Sequence, residues 1–170
     1  MILRGEARVN VLIVHDSKFG NGEQIAEKMR VEFEKTHSSV KVGHVRDLSS
    51  LPTIGKFPDL VIVGAAVRMF RVSGASKKWL KQLDKSARKS GSTTIFGAVF
   101  LTHGLKETSI QGFGGRYLRF MQNLRSLHYV YPDWLSGQVK GQEGPLLESV
   151  LPNVKLFAQS LGQWIAEIKN

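Results

Sequence analysis

The chain has no cysteine among its 170 residues. Disulfides, thiolate metal centres and a cysteine nucleophile are thereby excluded, and a cytoplasmic setting becomes the default expectation. No apolar run approaches the ~20 residues that a membrane span needs. The leading MILRGEAR carries no apolar core of signal-peptide length. There is no G-x-x-x-x-G-K-[ST] loop, so ATP chemistry of that type has no support. The five histidines, at 15, 37, 44, 103 and 128, offer no pair at metal-ligand spacing on one helix. Thr102 and Ser109 have no evident base to activate them, which argues against a hydrolytic triad. Repeats and low-complexity stretches are absent as well.

Acidic residues are scarce in one region only. Between Arg68 and His128 lie twelve Lys/Arg against Asp84 and Glu107, while the rest of the chain balances. The whole formal charge of +10 therefore sits in the middle. Such asymmetry suggests a face for an acidic partner, nucleic acid, anionic lipid or an anionic ligand; a merely solvated surface is the alternative.

What is present organises around Val9–Phe33. An apolar run, Val9–Val14, reads as a buried strand. It breaks into the polar turn Ser17-Lys18-Phe19-Gly20-Asn21-Gly22. A helix follows over about 22–35, with Ile25, Ala26, Met29 and Phe33 at helical spacing. Asn21 is the expected N-cap. Strand, polar turn and helix N-terminus together form an anion site, because free N–H groups converge where the helix dipole is positive.

Four further strand signals follow: 40–45, 59–66, 93–101 and a weaker one over 128–139, broken at Pro132-Asp133. Helices are expected at 77–89, capped by Ser76, at 116–127, and over 146–168 with an ordered part from Asn153. The segment 47–58, with its two prolines, allows one turn at most. Segments 67–76 and 103–115 read as loops. Gly112, Gly114 and Gly115 suggest a lid hinge or a plain flexible loop.

Strands alternating with helices imply a single α/β domain over 1–170, with a five-stranded parallel sheet in a three-layer sandwich. The common order, 2-1-3-4-5, brings the segments 16–22, 65–74 and 102–115 to one rim, where such sheets bind ligands.

VNVLIVHDSKFGNGEQIAEKM resembles the opening of the flavodoxin-like family, DLVIVGAAVRMF its third strand and first flavin loop, and TTIFGAVFLTHG its fourth strand and second flavin loop. The resemblance implies a flavodoxin-like fold with FMN as cofactor and a redox role without an amino-acid nucleophile. It implies a phosphate cradle of Ser17, Lys18, Phe19, Gly20, Asn21 and Gly22. It places Ala65, Ala66, Val67, Arg68, Met69 and Phe70 on one side of the flavin ring. Leu101, Thr102, His103 and Gly104 would flank the other.

Gly22 and Phe19 stand where many such loops carry hydroxyl residues. Each missing charge-assisted bond is worth ~1.5–3 kcal/mol. Phe70 is the only aromatic of the first flavin loop, and ordinary packing is its alternative role. A flavin-free binding protein therefore stays open. GAAVRMF also resembles the flavodoxin-like protoporphyrinogen oxidases, with Arg68 on their arginine. His103 reads more readily as a surface histidine than as a flavin contact, and Asp16 as a structural acceptor within the turn. Trp79, Tyr117 and Phe120 fall at core positions rather than on a stacking platform. An acidic redox partner protein or an anionic membrane surface, met through basic helices 77–89 and 116–125, accordingly ranks above nucleic acid.

Overall fold

The computed structural model describes residues 8–36, 38–47, 56–92 and 95–170. His37, the leader 1–7, residues 93–94 of the expected fourth strand and residues 48–55 of the expected turn lie outside that set.

Three apolar runs form the centre of the sheet. β1 (Asn10–His15) is buried after its first residue. β3 (Leu60–Arg68) is buried until its last residue, and β5 (Phe96–His103) is buried at every position but Thr102. Continuous burial is what a parallel strand covered on both faces requires. β2 (Ser39–His44) alternates and pairs on the outer side of β1. The other edge of β5 receives β6 (Tyr129–Val130) and β7 (Leu135–Gln138), one strand's path in two pieces separated at the expected Pro132-Asp133 break. With a short antiparallel hairpin strand left aside, β5 counts as the fourth strand and those two pieces as the fifth, and the order is the expected 2-1-3-4-5.

Successive side chains of each strand feed opposite cores. Ile13, Ile62 and Phe100 join α1 (Asn21–Glu34) and α4 (Val150–Lys169) on one face. Val14, Val63 and Val99 join α2 (Gly74–Lys89) and α3 (Glu107–Gln122) on the other. Both basic helices thus cover the same face, with Trp79 and Tyr117 inward and Phe120 half-buried. Among the described residues, no helix is long and apolar enough to cross a membrane.

Four local expectations are corrected. The N-cap of α1 is Gly20, left-handed at φ 87°, and Asn21 is the first helical residue. The segment 67–76 is not a loop. β3 runs on to Arg68, turns at Met69-Phe70, and returns antiparallel as β4 (Arg71–Val72). Met69 and Phe70 have φ of 48° and 60°, the pair of positive values that a two-residue hairpin turn of the right twist demands. Neither is glycine, and the left-handed region costs an ordinary residue roughly 1–2 kcal/mol. α2 then starts at Gly74, with Ser73 rather than Ser76 at the cap. Ser76, one turn in, donates its hydroxyl to Ser73 O at 3.1 Å.

The fourth correction is the largest. α3 begins at Glu107, so the expected 103–115 loop shrinks to Gly104–Lys106, and the hinge reading has no lid to move. The helix ends at Gln122 rather than near 127. Glycines normally weaken a helix by about 1 kcal/mol each. At Gly114 the loss is offset by contact: a Cβ there would collide with the Trp134 indole. The missing side chain lets the β6–β7 connection pack onto the helix.

Candidate functional site

The site is built from the C-terminal ends of β1, β3 and β5. Ser17 organises the first turn. Its Oγ accepts from Gly20 N–H at 3.0 Å and Gly22 N–H at 3.2 Å. Two of the helix-start donors are thus held in place by the loop itself, and the Ser17 O–H is left to donate outward. The first-turn N–H groups of Asn21 and Glu23 have no carbonyl one turn earlier within the helix. Gly22 also has a steric reason. A Cβ there would lie 3.3 Å from Ser17 Cβ and 3.8 Å from His15 Cβ. A hydroxyl residue at position 22 would press on Ser17.

Two histidines fix Ser17 from below. Strand pairing sets His15 opposite His44. Ser17 N–H donates to His15 Nδ1 at 3.2 Å, and His44 Nε2 donates to Ser17 O at 3.1 Å. The rings meet edge to face at 5.3 Å. Burial holds the His15 pKa below its usual value, and the neighbouring His44 adds to that; Glu23, Asp16 and Glu27 oppose it. A neutral His15 is the form that accepts the Ser17 N–H. The pair unites residues 29 apart in sequence, and only the β1–β2 register reveals it.

Asp16 links the turn to β3. Its Oδ1 accepts from Ala66 N–H at 2.9 Å, so it is structural as expected, but its partner lies across the sheet rather than within the turn. Its Oδ2 is the one buried side-chain polar atom without a hydrogen-bond partner among the described residues. Burial raises the Asp16 pKa; the nearby Ser73 hydroxyl, the Ala66 N–H and Arg68 pull it back, but the Ser73 hydroxyl does not reach hydrogen-bonding geometry with Oδ2.

The hairpin follows. Ala65, Ala66 and Val67 are buried, while Arg68, Met69 and Phe70 are exposed. The Arg68 guanidinium lies 6.0 Å from the Phe19 ring and the Lys18 ammonium 5.3 Å, so the first turn and the hairpin meet at Phe19. The third segment joins through the register that pairs Ala66 with Thr102. All three expected segments therefore share one rim.

No protein-family model and no curated protein matches the sequence. Solved structures do match. A flavodoxin from the domain Archaea is 17% identical with a TM-score of 0.65, over 92% of this chain and 98% of its own. A WrbA-like flavodoxin from Agrobacterium tumefaciens is 14% identical with a TM-score of 0.61, over 95% and 99%. Rubredoxin oxygen:oxidoreductase from Desulfovibrio gigas is 16% identical with a TM-score of 0.67, over 94% of this chain; the chain spans 36% of that protein's length.

The fold is flavodoxin-like.

On this flavodoxin-like rim the third segment differs most from expectation. Leu101 is buried, Thr102 half-buried and Gly104 exposed. His103 is not a surface residue: it is 2% exposed. Its Nε2 lies 2.6 Å from Ser136 Oγ, whose proton goes to Glu107 Oε1 at 2.9 Å. His103 Nε2–H therefore donates, and Nδ1 accepts from Leu105 N–H at 3.2 Å. Burial lowers the His103 pKa. The ring ties β5 to β7 and to the start of α3.

Sequence reasoning also missed the buttress of the first turn. Asn21 Nδ2 donates to Glu143 O at 3.1 Å. Gly144, at φ 113°, lies so close that a Cβ would sit 2.6 Å from Asn21 Oδ1. The Gly141…Gly144-Pro145 punctuation marks that turn in the sequence. A cleft of about 410 Å³ lies between β7 and α4, includes Trp134, Ser136, Asn153 and Phe157, and reaches Glu107 at the start of α3. None of the expected cofactor residues lines it. Among the described residues, no group of His, Asp or Glu could hold a metal.

Proposed function

We propose that the rim binds FMN non-covalently and that the protein carries electrons through it. The carrying observation is the buried, unpartnered Asp16 Oδ2 at the junction of an anion-binding helix start and the hairpin. A buried acceptor without a donor is costly, and a ligand bearing hydroxyl groups beside a phosphate satisfies both features at once.

In this reading Ser17 O–H and the N–H groups that open α1 hold the phosphate, with Lys18 adding positive charge. Asp16 takes a hydroxyl of the ligand's polyol chain. The 65–70 and 101–104 segments flank the ring. When bound, the flavin supplies one- or two-electron transfer. The chain positions it: Ser17 is fixed by His15 and His44, Ala66 by Asp16, and β5 by His103. The names of the structural neighbours, flavodoxins and an oxygen:oxidoreductase, agree with a redox role.

A second reading has its own observation. Ser17 already satisfies Gly20 and Gly22 N–H, so a flavin-free rim that binds a smaller anion would use the same turn. One titration separates the two. FMN fluorescence is quenched by the purified protein if the first holds. An unquenched signal at high protein concentration overturns it.

A further inference from the structure

We propose that the α2/α3 face and the tip of the β3–β4 hairpin together dock the protein onto an anionic lipid surface. This goes beyond the flavin reading and does not rest on it.

Among the described residues, most cations of this face have no counter-charge; Arg88, paired with Asp84, is the exception. Lys78, Lys81, Lys85 and Lys89 are exposed along α2. The one acid of that helix, Asp84, is buried and used up: Oδ1 accepts from Ser126 N–H and O–H at 2.8 Å, and Oδ2 accepts from Arg88 at 3.0 Å. α3 adds exposed Arg116 and Arg119, and its one acid, Glu107, accepts from Ser136. The two helices form one continuous basic surface, since Lys77 and Lys81 of α2 reach to 5.4 and 6.0 Å of the α3 Phe120 ring. The opposite face is built differently. On α1, Lys28, Arg30 and Lys35 each pair with Glu27, Glu32 or Glu34.

The hairpin tip supplies what a soluble polyanion would not use. Met69 is 93% and Phe70 73% exposed. They sit between Arg68 and Arg71, directly ahead of α2, on a turn whose positive φ values disfavour both residues. An apolar pair flanked by arginines and followed directly along the chain by a lysine-rich helix matches a headgroup layer with hydrocarbon beneath it. A nucleic acid offers the charge without the apolar layer.

Vesicle co-sedimentation of the full chain, without added flavin, is the test. Binding is expected to vesicles of equal phosphatidylcholine and phosphatidylglycerol, to fall as salt rises, and to be absent with phosphatidylcholine alone. Lys78→Gln/Lys81→Gln/Lys85→Gln changes only exposed side chains and should weaken binding on the order of a hundredfold, roughly fivefold per cation. Met69→Ser/Phe70→Ser keeps the charge and should weaken it about tenfold. Far-UV circular dichroism should match the parent for both variants. Equal binding to both vesicle types, or none, overturns the proposal. Binding lost in the lysine variant but untouched in the tip variant also overturns it, and points to a soluble acidic protein or nucleic acid instead.

Discussion

Two turns border the rim, and they are made in opposite ways. The Ser17–Gly22 turn places its one positive φ on glycine and meets its own hydrogen-bonding needs through Ser17, His15 and His44. The Met69-Phe70 turn places positive φ on two large apolar residues and leaves them in solvent. The first is set before any ligand arrives. The second holds strain and exposed apolar surface that folding alone does not explain, and strain of this kind concentrates at functional sites. A turn with its own hydrogen bonds met and a turn with its apolar side chains in solvent thus meet along one rim, where Arg68 lies 6.0 Å from the Phe19 ring.

The contrast can be broken most strongly at Ser17. Ser17→Ala removes the acceptor of two N–H groups and should cost about 2 kcal/mol in a urea unfolding titration. FMN affinity should fall with it, by roughly tenfold, measured by fluorescence quenching. Gly20→Val comes next. A Cβ at Gly20 meets nothing within 4 Å, so the expected loss of about 1–2 kcal/mol arises from the left-handed backbone alone. The hairpin should respond with the opposite sign. Phe70→Gly relieves a positive φ and should raise stability by about 1 kcal/mol in the same titration, while weakening both vesicle and flavin binding.

The smallest effect is a pH slope. The folded-state pKa of His15 lies below the ordinary 6.5, so below that value the unfolded chain binds more protons than the folded one. Stability from this group is complete above pH 6.5 and is lost as pH falls through the folded value. His15→Asn keeps an acceptor for the Ser17 N–H and should flatten the acid side of a stability–pH curve.

The two turns were unequally legible in the sequence. The first announces itself, because an apolar run, a polar glycine turn and a 3.6-residue period are all local. Met-Phe is not a turn dipeptide, and only the pairing of Val67 with Val72 makes a hairpin of that stretch. The same limit explains α3. Three glycines between 112 and 115 signal a loop on local grounds, and the Trp134 ring that packs on Gly114 lies 20 residues further on. His103 reads as exposed until Ser136 and Glu107 are brought beside it. The unpaired charge of the α2/α3 face, by contrast, could be found by counting, since no long-range contact is needed to see that acids are missing there.

The role proposed for the Ser17 turn is recognition of the phosphate of a flavin nucleotide. Parallel fluorescence titrations with FMN and with riboflavin, which lacks the phosphate, test it most directly. FMN affinity is expected to exceed that for riboflavin at least about tenfold, with the advantage reduced in Ser17→Ala. Equal affinity for the two flavins, or binding of neither, would contradict it.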